Sequence, residues 1–382
     1  MKSVSGNAGA RITTKYPSED TEAEISVENA VRRVQKFGNA SLGVSIPKEW
    51  ADARGIKAGS LLNLVFDDSG AIRIEPAEGN KEPSSSKCVV HADSCPEKML
   101  ERILIGCYIT GYGTIIVDSK SGMTPEISSS VENVAEKLIG AAIVEQDSRR
   151  IVIACLVAPS EFPIMAMIRR LFLLSTMIVE RTLENALTMS EKSLGAVQAL
   201  EMEIDKLYRL ILRLLLLAAS DREVAKQSGV DDPRHTLGNR AIAASLESVG
   251  DIAEALSGYL YAASSSRKDQ RKSDERILKL LSQFREMTSS AAKCLFEHDL
   301  KSASSALDNV LQLEKLCIDG ITISGENRRS RQEKNEGEGI FDTLIFTGMR
   351  SIVREYELII YVMMNRFIER PDQRFPYLEA SV

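Results

Sequence analysis

A chain of 382 residues exceeds one ordinary core, since single cores stop growing at roughly 250–300 residues, so two or three domains are expected. With 44% hydrophobic and 27% charged residues the composition is that of a globular protein. A net charge of −6 excludes a general polyanion binder, so any nucleic-acid contact must come from a local basic patch.

Cys88, Cys95, Cys107, Cys155, Cys294 and Cys317 include no CxxC pair, which excludes a zinc knuckle or a thioredoxin motif and points to reduced, mostly buried thiols. The first residues lack the apolar run of a signal peptide. The most apolar stretches, 162–174 and 207–219, are too short to span a bilayer and carry Arg169, Arg170, Arg209 and Arg213. A cytoplasmic protein without membrane insertion is expected.

Residues 1–29 are polar and aperiodic, a disordered tail. A small β-rich domain follows at 30–78. Val34, Phe37, Leu42, Val44 and Ile46 sit in short strand-like runs broken at Gly38 and Asn39. Pro47 opens a short helix over 48–54 that Gly55 ends, and the runs 61–66 and 71–74 predict a hairpin across Asp67, Asp68, Ser69 and Gly70. Such a ββαββ unit buries too little surface to stand alone, so a homodimer is expected. Residues 79–87 read as a linker.

Residues 88–160 mix strands (88–91, 114–117, 142–145, 150–157) with helices (97–108, 129–138) in a short α+β segment. Strand signals then vanish. Amphipathic segments at 162–192, 194–220, 234–264, 273–297, 299–322 and 339–369 predict an all-α bundle, with charged loops at 264–274 and 325–339. They fall into two three-helix repeats, 161–266 and 272–370: the run EIDKL at 203–207 lies over QLEKL at 312–316, and 244–254 over 352–360.

Within 31–60, Arg32, Arg33, Lys36, Lys48, Arg54 and Lys57 face only Glu49 and Asp52. A two-fold dimer doubles this patch, and lysine or arginine contacts to phosphate give salt-dependent DNA affinity. On charge alone a solvated strand face accounts for the same residues. The stretch VQKFGNASLGVSIPKEW at 34–50, followed by Gly55 and Gly59, resembles the AbrB/MazE swapped-hairpin family over residues 31–76. The pattern departs at Ser60, where an acidic residue is frequent. The resemblance implies an intertwined homodimer that binds DNA, with Arg32, Arg33, Lys36, Asn39, Ser41 and Lys48 as the contacts. The same module also serves antitoxins, so the fold leaves the role open.

Glu201 and Asp205 are four apart, hence on one helix face; Glu247 and Asp251 repeat that spacing, with Glu254 three further on. Two such helices can gather carboxylate oxygens around a hard cation, a divalent or trivalent metal (Mg, Mn, Fe or Ca), rather than structural zinc. The competing reading is a solvated acidic face. Glu201 and Asp205 edge an apolar stripe of Leu200, Ile204, Leu207, Ile211 and Leu215. Glu247, Asp251 and Glu254 lie opposite the stripe of Ile242, Leu246, Val249, Leu256 and Leu260.

The run LESVGDIAE at 246–254 and the run EMEIDKLY at 201–208 resemble the signatures of the PhoU family of phosphate-uptake regulators. Residues 171–187 and 341–365 fit its first and last helices, and the resemblance covers 161–370. The preceding α+β block resembles that of archaeal members, which also carry an AbrB-like module. The resemblance implies metal held by Glu201, Asp205, Glu247, Asp251 and Glu254. In the second repeat Glu314 and Glu355 match Asp205 and Glu247, but Val310 and Ile359 stand where Glu201 and Asp251 would, and Ile252 replaces the signature histidine.

No Walker loop, GxSxG elbow or HExxH occurs, and the three histidines are isolated, so no enzyme is expected. The reading is a phosphate-responsive regulator that joins a DNA-binding dimer to a metal-binding bundle, with a phosphate transporter or sensor protein as a further partner. The alternative is a DNA-binding antitoxin or architectural protein whose helices only oligomerise.

Overall fold

Alternation of apolar and polar residues over 62–66 and 72–76 builds an antiparallel hairpin from β3 (Leu62–Phe66) and β4 (Ile72–Pro76). Leu62 pairs with Pro76, Leu64 with Ile74 and Phe66 with Ile72, so one face of the hairpin is apolar. A shorter hairpin precedes it, β1 (Gln35–Phe37) against β2 (Ser41–Gly43), and helix α1 (Lys48–Ala53) lies between the two. The computed structural model describes residues 31–38, 41–66, 70–77, 86–188, 191–263, 270–297, 300–330 and 336–369. The expected tail at 1–29, most of the linker, the turn at 67–69 and Asn39 lie outside them. The chain divides into two compact units, residues 1–81 and 82–382.

The second unit begins with a mixed sheet of β5 (Lys87–His91), β6 (Thr114–Asp118), β7 (Ala141–Gln146) and β8 (Arg150–Cys155), in the order β5-β6-β8-β7. β5 and β6 run parallel because α2 (Glu97–Ile109) crosses between them; β8 is antiparallel to both β6 and β7. α2 and α3 (Pro125–Glu136) cover one face, burying Leu104, Tyr108, Val131 and Val134 against Ile115, Val117, Ile151 and Ile153. α3 starts four residues before the expected 129. Its N-cap is Thr124, whose hydroxyl accepts from the Ile127 N–H, and Pro125 sits at the first helical position.

The helices α4 (Ile164–Thr188), α5 (Glu191–Ser220) and α7 (Pro233–Ala263) pack on one another. So do α8 (Gln270–Glu297), α9 (Leu300–Ser330) and α10 (Glu336–Ile368). The triplets meet where α7 lies on α10 and α4 on α8, each helix on its counterpart. Phe172 of α4 sits edge-on to Phe296 of α8 at 5.8 Å and to Tyr356 of α10 at 5.7 Å, so one aromatic cluster locks the two triplets together. A short helix, α6 (Arg222–Gln227), was not legible from periodicity; Asp221 caps it by accepting from the Glu223 and Val224 N–H groups. α9 and α10 also extend into the charged stretch expected to be a loop at 325–339, because arginine and glutamate sustain helix without any apolar period. Among the described residues no helix is long and apolar enough to cross a membrane.

Sheet and bundle in this unit are joined at a buried cation. Arg213 of α5 is 3% exposed and donates to the Tyr108 carbonyl at 2.5 Å and the Gly111 carbonyl at 3.3 Å. Those carbonyls end α2, where a positive charge also complements the helix dipole. Gly111 has φ +100°, a backbone conformation that favours glycine, and it packs against the Leu217 side chain of α5.

Candidate nucleic-acid interface and carboxylate cluster

The N-terminal basic residues are presented rather than packed. Arg32 and Arg33 lie just ahead of β1, Lys36 on β1, Ser41 on β2 and Lys48 at the start of α1, and all five are exposed. Arg54 lies over the Trp50 ring, 5.0 Å from its centroid. Gly55 and Gly59 have φ of 65° and 91°, which accounts for the two glycines after the helix. Ser60, the departure from the family pattern, accepts the Lys57 N–H at 3.0 Å, so its hydroxyl fastens the turn as an acidic side chain would.

No described side chain of residues 31–77 is buried. Phe66 is 73% exposed, Leu42 75%, Ile72 59% and Leu64 57%. Among the described residues of this unit, Leu64, Phe66 and Ile72 on the apolar face of the β3–β4 hairpin are thus left exposed, and an apolar surface of this kind marks an interaction site.

The carboxylates come together on α5 and α7. Gly250 of α7 lets Ile204 of α5 approach so closely that a Cβ would sit 3.1 Å from it. Glu201, Asp205, Glu247 and Glu254 are half-buried beside this contact, while Asp251 is exposed. The sequence projection placed Glu247 and Glu254 on the side away from the core. α7 is instead enclosed by α4, α5 and α10, and its buried arc includes Ala243, Ser245, Gly250, Ala253 and Ser257. Small residues widen the arc beyond the stripe that leucine and isoleucine mark.

Desolvation, then the charges of Asp205, Asp251 and Glu254, pushes Glu201 up to about 7. Desolvation, then Asp251 and Asp205, does the same to Glu247, up to about 7. Asp251 is raised by desolvation and by Asp205 and Glu254. Arg209 is the nearby cation; it ion-pairs Asp205 one turn away. Yet among the described residues no three Asp, Glu, His or Cys side chains close around a common metal position. The donors are all carboxylate oxygens, the ligand class of a hard cation, but as placed they do not surround one position, and Arg209 occupies Asp205.

In the second triplet, Val310 is 1% exposed and Ile359 1% exposed, both in the core. Glu314 pairs with Arg350 at 3.2 Å and Arg354 at 3.5 Å. Two guanidinium groups thus occupy the neighbourhood of Glu314, one of that triplet's two matching carboxylates. These arginines escaped the sequence reading because they lie on a different helix, where no spacing relates them to Glu314.

Residues 35–82 match the family model described as antidote-toxin recognition MazE, bacterial antitoxin. The N-terminal unit therefore carries a MazE-like domain, of the AbrB-related type. Lys36, Asn39, Ser41 and Lys48 fall within the matched segment, and Arg32 and Arg33 just precede it. The match stops where the helical part of the chain has yet to begin. No curated protein and no solved structure matches the chain.

Proposed function

We propose that the chain is a DNA-binding regulator that works as a homodimer through its MazE-like domain and holds a divalent or trivalent metal in its bundle. The observation that carries this reading is the N-terminal unit: a basic, exposed strand-and-arm surface on a module whose hairpin leaves Leu64, Phe66 and Ile72 exposed among the described residues. A second copy laid on that face would complete a core and set two basic patches side by side. Arg32, Arg33, Lys36, Ser41 and Lys48 would contact DNA, phosphates first.

Glu201, Glu247, Asp251 and Glu254 would hold the metal, joined by Asp205 when Arg209 releases it. A bound cation there supplies charge neutralisation, and no chemistry of bond making is assigned to it. The likeness of 201–208 and 246–254 to PhoU signatures, on two helices that pack together with their carboxylates side by side, supports the finer reading that the regulated process is phosphate uptake. The MazE description favours a second reading, an antitoxin whose DNA contacts control a toxin gene. Genome-wide occupancy in phosphate-rich and phosphate-starved cells separates them: sites beside phosphate-transport genes that change with phosphate support the first, and a single site beside a toxin gene supports the second.

The DNA face has its own test. Arg32→Ala with Arg33→Ala is expected to weaken binding to all duplexes and to reduce the salt slope by about one for each lost phosphate contact. Unchanged affinity and slope in the double variant would place the interface elsewhere.

A further inference from the structure

Cys88 and Cys107 are nineteen residues apart in sequence, on β5 and on the last turns of α2, yet their sulfurs touch. The Cys107 thiol donates to Cys88 Sγ at 3.5 Å. A disulfide needs the sulfurs at about 2.05 Å, and this pair already stands in van der Waals contact. Cys88 is half-exposed on an edge strand, whereas Cys107 is buried beneath it. Cys88 is therefore the sulfur of the pair that an oxidant would meet first, with Cys107 in contact with it.

We propose that Cys88 and Cys107 form a reversible intramolecular disulfide, a modification site for small disulfide oxidants such as oxidised glutathione. The Cys88 sulfur attacks one sulfur of the oxidant, its S–S bond breaks, and the departing thiolate takes the proton that Cys88 gives up. Cys107 then loses its proton, attacks Cys88 Sγ and expels the second thiolate, which takes that proton. Two protein thiols become one disulfide, and one oxidant disulfide becomes two thiols. Burial, with Cys88 against it and Cys155 nearby, pushes the Cys107 thiol up to about 12, which makes it the resolving partner rather than the first nucleophile.

The bond would tie an edge strand to the turn of α2 that ends on Arg213. A sulfur bridge there would hold together the segment on which the sheet grips the bundle. Cys294 and Cys317, both buried in the bundle, would stay reduced, and half-exposed Cys95 would at most carry a mixed disulfide.

The full chain, treated with excess oxidised glutathione and mapped by mass spectrometry without reduction, should yield a Cys88–Cys107 cross-linked peptide that dithiothreitol removes. The oxidised chain should melt about 5 °C higher than the reduced one, since the bridge closes a loop of that length. Cys107→Ser should leave only a glutathione adduct on Cys88, and Cys88→Ser should leave Cys107 unmodified. Peptide mapping of the unmutated chain decides the matter even if either variant fails to fold. A Cys88 adduct that never resolves, a bridge from Cys107 to Cys155, or a pair that stays reduced overturns the proposal.

Discussion

Leu64→Asp is expected to leave the full chain monomeric at concentrations where the unmutated protein is dimeric, and to abolish its retention on DNA. Leu64 lies opposite Ile74 on the apolar face of the β3–β4 hairpin and is 57% exposed in one chain. Covering a leucine contributes about 1.5–3 kcal/mol, and a two-fold interface counts it twice. Burying a carboxylate there adds a desolvation cost of several kcal/mol. Together these weaken association by about a thousandfold or more. Sedimentation equilibrium measures the change. The companion result is a dimer for the fragment of residues 30–78; a folded monomer of that fragment would sink the exchange of cores between copies.

The second large effect belongs to Glu201 and Glu247. Both carboxyls are raised in the folded chain to about 7 from an ordinary value near 4.5. A raised folded value means the folded state binds the proton more tightly, so the stability these groups contribute is complete below about pH 4.5. It is lost as pH rises through about 7. With allowance for water that screens half-buried side chains, the loss is roughly 1–2 kcal/mol for the coupled pair, or about 3–6 °C in Tm. Glu201→Gln with Glu247→Gln should flatten the decline between pH 5 and 8.

Metal should act on the same residues with the opposite sense. A cation that binds the ionised cluster stabilises the folded state in proportion to the logarithm of its concentration. Asp205→Asn with Asp251→Asn should abolish that rise, whereas Glu314→Gln with Glu355→Gln should leave most of it, since Arg350 and Arg354 already neutralise Glu314. Thermal melts in metal and in chelator, with elemental analysis of the purified protein, give the result. Equal loss in the two double variants would mean that the second triplet binds metal as well. No metal in the unmutated protein would return the acids to a strained but unliganded interface.

The long helices were legible because an apolar residue every three or four positions persists for many turns, and no turn chemistry competes with it. The hairpin at 62–76 was legible for the same reason at a period of two. Where the pattern misled, small or charged residues carried the structure. α6 is too short for a period and rests on the Asp221 cap. The three serines at 128–130 drew the start of α3 too late, while Thr124 and Pro125 were the true signal. The acidic pairs were found by spacing, with Glu201 and Asp205 at the edge of the apolar stripe, but the half-burial of Glu247 and Glu254 was missed, because Gly250 counts for nothing on a hydrophobicity scale and still brings α5 and α7 together. Arg213 was noticed only as a charge that forbids a membrane span. Its partners are backbone carbonyls more than a hundred positions away, which no local pattern records.

That arginine bears on how freely the parts of residues 82–382 could be exchanged. A cut near residue 160, where strands give way to helices, looks clean along the sequence. It would strip Arg213 of both carbonyls it donates to and uncover Leu217 beside it. The sheet fragment would in turn end α2 on bare carbonyls. Expressed apart, each piece should be poorly soluble, and expressed together they should copurify. A different α+β layer set on this bundle would have to offer Arg213 new acceptors or meet another residue there, so the layer and the bundle are not independent parts.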